Sequence, residues 1–205
     1  MSAHGPSQPT RRAHVERHTA ETRVWVELVL DGHGAGERRT GVPFFDHMLD
    51  HVAVHGLFDL TVRAEGDYAV DDHHTVEDVG IVMGQALRHA LGERKGIRRY
   101  GHALVPMDEA LVLAAVDISG RGLLTFSGQF PASKVGTFDT ELVPEFLRAL
   151  AANGGVTLHV RVLAGQNTHH IIEAIFKALG RALREATEPD PRRAGEVPST
   201  KGVIE

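Results

Sequence analysis

The 205-residue sequence has no cysteine, one tryptophan and only 5% aromatic residues. Without cysteine there are no disulfides and no thiolate metal ligands, which fits a cytoplasmic location. Long apolar runs are also missing, since the longest, residues 110–116, is far shorter than the ~20 residues that cross a membrane. A formal charge of −5 argues against nucleic acid as the main partner. The composition therefore predicts a globular protein that binds neither membrane nor nucleic acid.

Histidine, by contrast, is plentiful, with 14 residues. Two segments share the pattern His-His-x-x-Glu, residues 73–77 and 169–173, and each follows residues suited to cap a helix: Asp72 in one, Asn167 or Thr168 in the other. On a helix the glutamate lies near both histidines, but adjacent histidines point about 100° apart. We therefore expect the two histidines of each pair to serve two different metal ions.

The repeat extends beyond these two signatures. Residues 60–63 resemble residues 158–161, an offset of 98 (158 minus 60), and the signatures are offset by 96 (169 minus 73). The offset of 98 places His47 opposite Glu145. We interpret the chain as an internal duplication with an α/β (α+β two-layer) fold, in which each half is a roughly four-stranded sheet backed by two helices.

Hydrophobic periodicity and turn residues set the expected elements and boundaries. We expect a loose leader (1–19), a first half (20–95), a second half (96–187) and a C-terminal tail (188–205) that contributes Ser199 and Lys201, all in one compact domain. The predicted strands are 24–30, 57–64, strands around 103–119 and 123–129, and 156–163. The predicted helices are 44–55, 140–152 and the two that follow the signatures, 79–91 and 174–186.

Each half supplies one candidate ligand from its first helix and three from its signature. The eight donors could form two sites of four protein ligands each, with positions left open for water or substrate, as a catalytic metal requires. A lone histidine on a helix is more often a surface or core residue, but the paired motifs argue for metal. Of the two histidines after His47, His55 could reach a site near the helix end, and His51 is more typical of a supporting or surface position. The eight candidate metal ligands are His47, His73, His74, Glu77, Glu145, His169, His170 and Glu173.

Basic and hydroxyl side chains suitable for an anion occur in three separate places. Arginine forks and a lysine beside glycine and serine suit a phosphate group. Each is individually more often a solvated charge, and sequence spacing does not bring them together. The three places are residues 98–101, Arg121, and Ser199 with Lys201.

Four motifs together resemble the imidazoleglycerol-phosphate dehydratase family of histidine biosynthesis, in its monofunctional form, from about residue 17 to residue 201. The resemblance implies dehydration of D-erythro-imidazole glycerol phosphate to imidazole acetol phosphate by a carbon–oxygen lyase. It also implies two Mn²⁺ ions per active site, no organic cofactor, and a homo-oligomer of 24 subunits built from trimers. The four motifs are residues 44–51, 71–78, 106–110 and 167–174.

The resemblance also assigns roles to individual residues. It matches the eight candidate donors to metal ligands, although many relatives have histidine where this chain has Glu145. Glu21 matches a glutamate close to the reacting carbons, and Glu77, Glu173 and His55 are further candidates for proton transfer. Metal on both ring nitrogens would favour a substrate imidazolate that expels the neighbouring hydroxyl. The residues matched to phosphate binding are Arg99, Arg121, Ser199 and Lys201.

Two other classes of function remain open at this point. A two-metal phosphohydrolase would also combine paired ions with an anion site, but such sites are usually rich in aspartate rather than histidine. A non-enzymatic protein assembled by metal would leave Arg99, Arg121 and Lys201 without a role. Product analysis separates these hypotheses.

Overall fold

A computed structural model describes residues 11–193 and 195–204. It contains two four-stranded sheets, a small two-stranded sheet and four α-helices in the order expected for a duplication. The strands are β1 (Arg12–His18), β2 (Arg23–Val29), β3 (Arg38–Arg39), β4 (Asp59–Glu65), β5 (Tyr100–Met107), β6 (Ala110–Asp117), β7 (Leu123–Ser127), β8 (Lys134–Val135), β9 (Phe138–Asp139) and β10 (Thr157–Ala164). The helices are α1 (Pro43–Gly56), α2 (His73–Leu91), α3 (Leu142–Gly154) and α4 (Thr168–Thr187).

The two large sheets have the same topology. Their strand orders are β1-β2-β4-β3 and β5-β6-β10-β7, and in each sheet three strands are antiparallel while the last lies parallel to its neighbour. The equivalent strands β4 and β10 begin 98 residues apart (157 minus 59). The predicted fold class, a duplicated half-domain with a four-stranded sheet and two helices, is confirmed.

Alternation of side chains gives each sheet one buried and one solvent-facing side. In β2, Val24, Val26 and Leu28 are buried, whereas Trp25 lies on the outer side and its ring contacts the guanidinium of Arg63. The helices cover the inner sides: α2 packs on β1 and β2, and α4 packs on β5 and β6. The hydrophobic core therefore lies between each sheet and its helices.

The helices of one half pack against those of the other, α1 against α4 and α2 against α3. Close approach is possible because glycines lie where the helices cross. A Cβ added at Gly180 would come within 2.8 Å of the Val52 carbonyl oxygen, and one added at Gly84 within 2.6 Å of the Leu150 oxygen. The two crossings involve equivalent positions of the duplication, since Val52 and Leu150 are 98 residues apart and Gly84 and Gly180 are 96 residues apart.

The structure corrects the expected leader. Residues 12–18 were predicted to be loose but form β1, which pairs along its length with β2. The apolar signal was weak, because only Ala13 and Val15 of this strand face the core. Residues 1–10 of the predicted leader lie outside the described residues. In the described part of the chain, no helix is both long and apolar enough to cross a membrane.

Candidate metal and phosphate sites

The first cluster of candidate ligands lies where the N-terminal half of α4 meets α1. The Glu173 carboxylate lies 2.6 Å from His51 Nε2 and 3.3 Å from His47 Nε2, so three donor atoms are close enough to hold one ion. Burial raises the pKa of Glu173, but the contact with His51 and the nearby Lys177 and His169 outweigh this effect and leave it lowered. Burial also lowers the pKa of His51, which favours the neutral, metal-binding form of its ring.

A carboxylate outside the signature orients His170. Glu109, in the two-residue turn between β5 and β6, lies 2.8 Å from His170 Nδ1 and also accepts hydrogen bonds from the backbone N–H groups of Gln166 and Asn167. These contacts lower the pKa of Glu109 to about 2, and the hydrogen bond with His170 is the largest cause. Because an ionised carboxylate only accepts hydrogen bonds, Nδ1 of His170 must carry the hydrogen. This contact raises the pKa of His170. In the neutral ring the lone pair resides on Nε2, as in carboxylate–histidine–metal arrangements.

The second cluster repeats this arrangement at the start of α2. His74, the counterpart of His170, has its Nδ1 2.9 Å from Asp67 Oδ2 and 3.6 Å from Glu21 Oε2. The hydrogen bond to Asp67 is the main cause that raises the pKa of His74. His73 Nε2 lies 3.8 Å from Glu77 Oε2 on the next helical turn. His74 and His170, which occupy equivalent places in the two halves, therefore each have Nδ1 close to a carboxylate.

The N-termini of α2 and α4 differ in how they are capped. Asn167 accepts hydrogen bonds from the backbone N–H groups of His169 and His170, as expected. Asp72 occupies the corresponding position without a side-chain cap, and Asp71 accepts from the His73 N–H instead. The expectation that Asp72 caps α2 was therefore wrong. The Asn167 cap and the Asp71 hydrogen bond both fix the backbone next to the paired histidines and so help to orient their rings.

The remaining candidate residues lie at different distances from the two clusters. His169 lies beside the first, with its ring centre 6.3 Å from that of His47. Glu145 is on α3, which packs against α2, but its carboxylate pairs with Arg148, and among the described residues it belongs to neither three-donor group. His55 lies one turn beyond His51, with ring centres 5.8 Å apart, and near the charge of Lys177. These placements leave the ligand roles as predictions.

Three residues of these clusters had no assigned role from the sequence. His51 stands one helical turn after His47, and this spacing alone indicates that the two rings lie on one face of α1. Asp67 and Glu109 lie in turns outside any ligand motif, and only the fold brings them to the histidines. Glu109 was part of a family-like motif but gave no sign of its partner.

The four residues matched to phosphate binding come together in one cleft. Arg99, Arg121, Ser199 and Lys201 line a cavity of about 450 Å³ together with Tyr100 and Ser119. Asp117 accepts two hydrogen bonds from the Arg99 guanidinium, at 2.8 and 3.3 Å, and this contact raises the pKa of Arg99. The cleft therefore presents positive charge beside several hydroxyl groups, a combination that suits phosphate.

Comparison with known proteins identifies the family. Residues 40–183 match the family model for imidazoleglycerol-phosphate dehydratase. The chain belongs to the imidazoleglycerol-phosphate dehydratase family. Proteins of that name from Paracoccus denitrificans and Desulforamulus reducens are 62% and 63% identical, each over 95% of this chain and over 100% and 98% of the relative. The family consists of hydro-lyases of histidine biosynthesis.

Solved structures of the dehydratase family share the fold. The imidazoleglycerol-phosphate dehydratase of Staphylococcus aureus superposes with a TM-score of 0.79 at 42% identity, covering 87% of this chain and 99% of that one. The enzyme of Pyrococcus furiosus, in complex with (S)-C348, gives a TM-score of 0.81 at 39% identity, covering 93% and 100%. The similarity therefore extends over both halves of the duplication.

Replacing Glu109 by glutamine is expected to weaken metal binding by about 10- to 100-fold, the usual effect of losing a partner that orients a metal-binding histidine. The amide cannot hold the Nδ1–H of His170 as a carboxylate does. Titration of apo-protein with Mn²⁺ measures the change. Asp67→Asn is expected to weaken metal binding at the second cluster by a similar factor. Glu65→Gln, on the exposed outer side of its sheet, is the control. Unaltered affinity in both variants would show that the two carboxylates do not orient metal ligands.

Proposed function

We propose that this chain dehydrates D-erythro-imidazole glycerol phosphate to imidazole acetol phosphate, with two Mn²⁺ ions in each active site. One observation carries the proposal: the fold gathers two histidine–carboxylate clusters and a separate phosphate cleft from residues that are far apart in sequence. The substrate has both matching groups, an imidazole ring and a phosphate. The membership of the chain in the dehydratase family supports the same reaction.

The residues of both clusters fit the proposed metal. Imidazole nitrogen and carboxylate oxygen are donors that suit Mn²⁺ and similar divalent ions. The three-donor groups, in which the donor atoms lie within 4.8 Å of one another, contain three of the proposed ligands, His47, Glu173 and His74. His74 and His170 also have their Nδ1 atoms held by carboxylates. The proposed ligands are His47, His73, His74, Glu77, His169, His170 and Glu173, with Glu145 as an eighth donor that would have to turn away from Arg148.

The bound ions would act as Lewis acids that favour the deprotonated form of the substrate ring. The protein itself must move a proton at the carbon beside that ring, and Glu21 is the proposed group. Its Oε2 lies 3.6 Å from His74 Nδ1 and its side chain is exposed, so that it can reach a bound substrate. Glu77, Glu173 and His55 are the alternative groups for the second proton transfer.

The geometry also supports an active site shared between subunits. The clusters lie at the N-termini of α2 and α4, whereas the cleft lies at the opposite end of α4, where the Arg99 N–H donates to the Ala186 carbonyl. Ala186 is 13 positions after Glu173 (186 minus 173), which is about 20 Å of helix. The substrate has three carbons between its ring and its phosphate, joined by bonds of ~1.5 Å, and they cannot span this distance. We therefore propose that the cleft of one chain serves the clusters of others, in a 24-subunit assembly built from trimers.

Product formation from imidazole glycerol phosphate tests the proposal. Protein treated with chelator is expected to be inactive and to regain imidazole acetol phosphate formation on addition of Mn²⁺. Release of inorganic phosphate instead would favour a two-metal phosphohydrolase. A metal-loaded, assembled protein that forms neither product would favour a non-enzymatic, metal-assembled protein. The cytoplasmic location stays a prediction, which fractionation of cells would check.

Lys201→Ala is expected to raise the KM by about tenfold while kcat and metal content stay near their normal values. The substitution removes one charge from the phosphate cleft but leaves both clusters intact. Steady-state kinetics and metal analysis of the purified variant measure these quantities. Unchanged kinetics would remove Lys201 from phosphate binding, and loss of metal would place it in a different site.

A further inference from the structure

The C-terminal segment that carries Ser199 and Lys201 is joined to the rest of the chain at few points. Up to residue 196, backbone hydrogen bonds fix it to the loop after α2, such as those from Asp190 to Gly96 and from Gly96 to Glu196. In the described chain, residues 197–204 make only two hydrogen bonds to residues outside the segment. Arg99 Nη1 donates to the Pro198 carbonyl at 2.8 Å, and Arg94 Nη1 donates to the Ile204 carbonyl at 3.0 Å.

Arg94 is a buried charge without a carboxylate partner among the described residues. It is 7% exposed, and its Nε atom is buried without a hydrogen-bond acceptor. Its backbone has φ of 56°, in the left-handed region that side chains other than glycine rarely adopt. Burial, and then the charge of Arg88, lowers the pKa of Arg94. A buried arginine with a strained backbone and no carboxylate partner in the described part of the chain is unfavourable for folding, so we expect its role to lie in the contact that it does make, with Ile204.

We propose that Arg94 is a positioning residue that holds the C-terminal segment over the phosphate cleft. Its hydrogen bond to Ile204 and that of Arg99 to Pro198 fix the two ends of the segment, so that Ser199 and Lys201 between them face the cleft. Without Arg94, only the Pro198 end is held. Ser199 and Lys201 then spend less time in position, and phosphate binds more weakly. The inference rests on the proposed function in that the phosphate of the substrate is expected to occupy this cleft.

Arg94→Met tests the proposal with little risk to folding. Methionine fills a similar volume, and the change removes a buried charge rather than an ion pair. The dissociation constant for inorganic phosphate and the KM are expected to rise about tenfold, the scale of one hydrogen bond from a charged group. We expect kcat, metal content and the melting temperature to change little. Arg88→Met is the matched control. Arg88 is an exposed arginine at the end of α2, and its replacement removes the same charge.

A chain that ends at Val203 provides a second variant. It lacks the Ile204 carbonyl but keeps Arg94, and we expect the same tenfold weakening. Arg94→Met in the shortened chain is then expected to have no further effect on phosphate binding, because both changes remove the same contact. Additive effects, or phosphate binding that is unaltered by Arg94→Met, would overturn the proposal. So would a loss of stability in Arg94→Met with normal KM, because that result assigns Arg94 a purely structural role.

Phosphate binding by calorimetry separates this proposal from the proposed reaction. A wild-type protein that binds inorganic phosphate but forms no imidazole acetol phosphate would refute the reaction, and the Arg94 variants would still decide the positioning role. An active wild type with normal Arg94→Met kinetics would refute the positioning role alone. A wild type that binds no inorganic phosphate would refute the cleft on which the positioning role depends.

Discussion

His74→Ala is expected to remove metal binding, activity and assembly together. His74 is the residue of the second cluster whose ring is held by Asp67 and lies near Glu21, so its loss removes a proposed ligand and disturbs its neighbours. Losing the partner of a metal-binding histidine typically costs 10- to 100-fold in affinity or activity. Loss of the ligand itself is therefore expected to lower kcat/KM by at least about 100-fold. Manganese content, enzyme assay and size-exclusion chromatography measure the three effects.

The control for His74 lies on the same helix. His89, in the last turn of α2, is exposed and belongs to neither cluster, so His89→Ala is expected to retain all three properties. If His74→Ala keeps its metal and its activity, His74 is not a ligand. Loss of assembly with normal metal content would instead assign it to a subunit contact.

Gly180→Ala and Gly84→Ala are expected to destabilise the fold strongly. Alanine is normally favoured over glycine in a helix by about 1 kcal/mol. Here the added Cβ at Gly180 would lie 2.8 Å from the Val52 oxygen and 3.0 Å from the Gly56 nitrogen, and both atoms belong to the backbone of the partner helix. The helices must move apart, at a cost of about 3 kcal/mol. A domain of this size would lose about 6–12 °C in melting temperature.

Gly154→Ala is the matched control for these two variants. This glycine also ends a helix turn at the α2–α3 crossing, but the nearest atom to an added Cβ is Val156 Cγ2 at 3.4 Å, which is ordinary contact. The melting temperature of the Gly154→Ala variant is expected to stay within about 2 °C of the wild-type value. If Gly180→Ala and Gly84→Ala melted at or above the wild-type temperature, the close helix crossings described for both halves would be wrong.

The parts of the fold that follow from local pattern could be predicted from the sequence. The repeated signature and the offset of 98 residues gave the duplication, because both halves keep the same order of strands and helices. The strand β1 was not predicted, because its two core-facing apolar residues are too few to show a hydrophobic periodicity. Its structure depends on pairing with β2, which is a tertiary rather than a local property.

The sites were less predictable because long-range contacts create them. Helical spacing alone indicated the histidine pairs, and it also placed His51 near His47. Nothing local connects His170 with Glu109, 61 residues away, or Arg99 with Ser199, 100 residues away (199 minus 99). For the phosphate residues, the family resemblance supplied the grouping that spacing could not. The position of Arg94 against Ile204 had no sequence signal, since it depends on how the C-terminal segment folds back.

The exchange of helix partners between the halves has an evolutionary consequence. Since α1 packs mainly against α4, and the main helix partner of α2 is α3, one half on its own would leave a face of each helix uncovered. A single ancestral half could cover them by pairing with an identical copy about a twofold axis, and gene fusion would then have joined the pair. Fusion frees equivalent positions to change independently. His47 and Glu145, which occupy matching places on α1 and α3, record such a divergence between once-identical subunits.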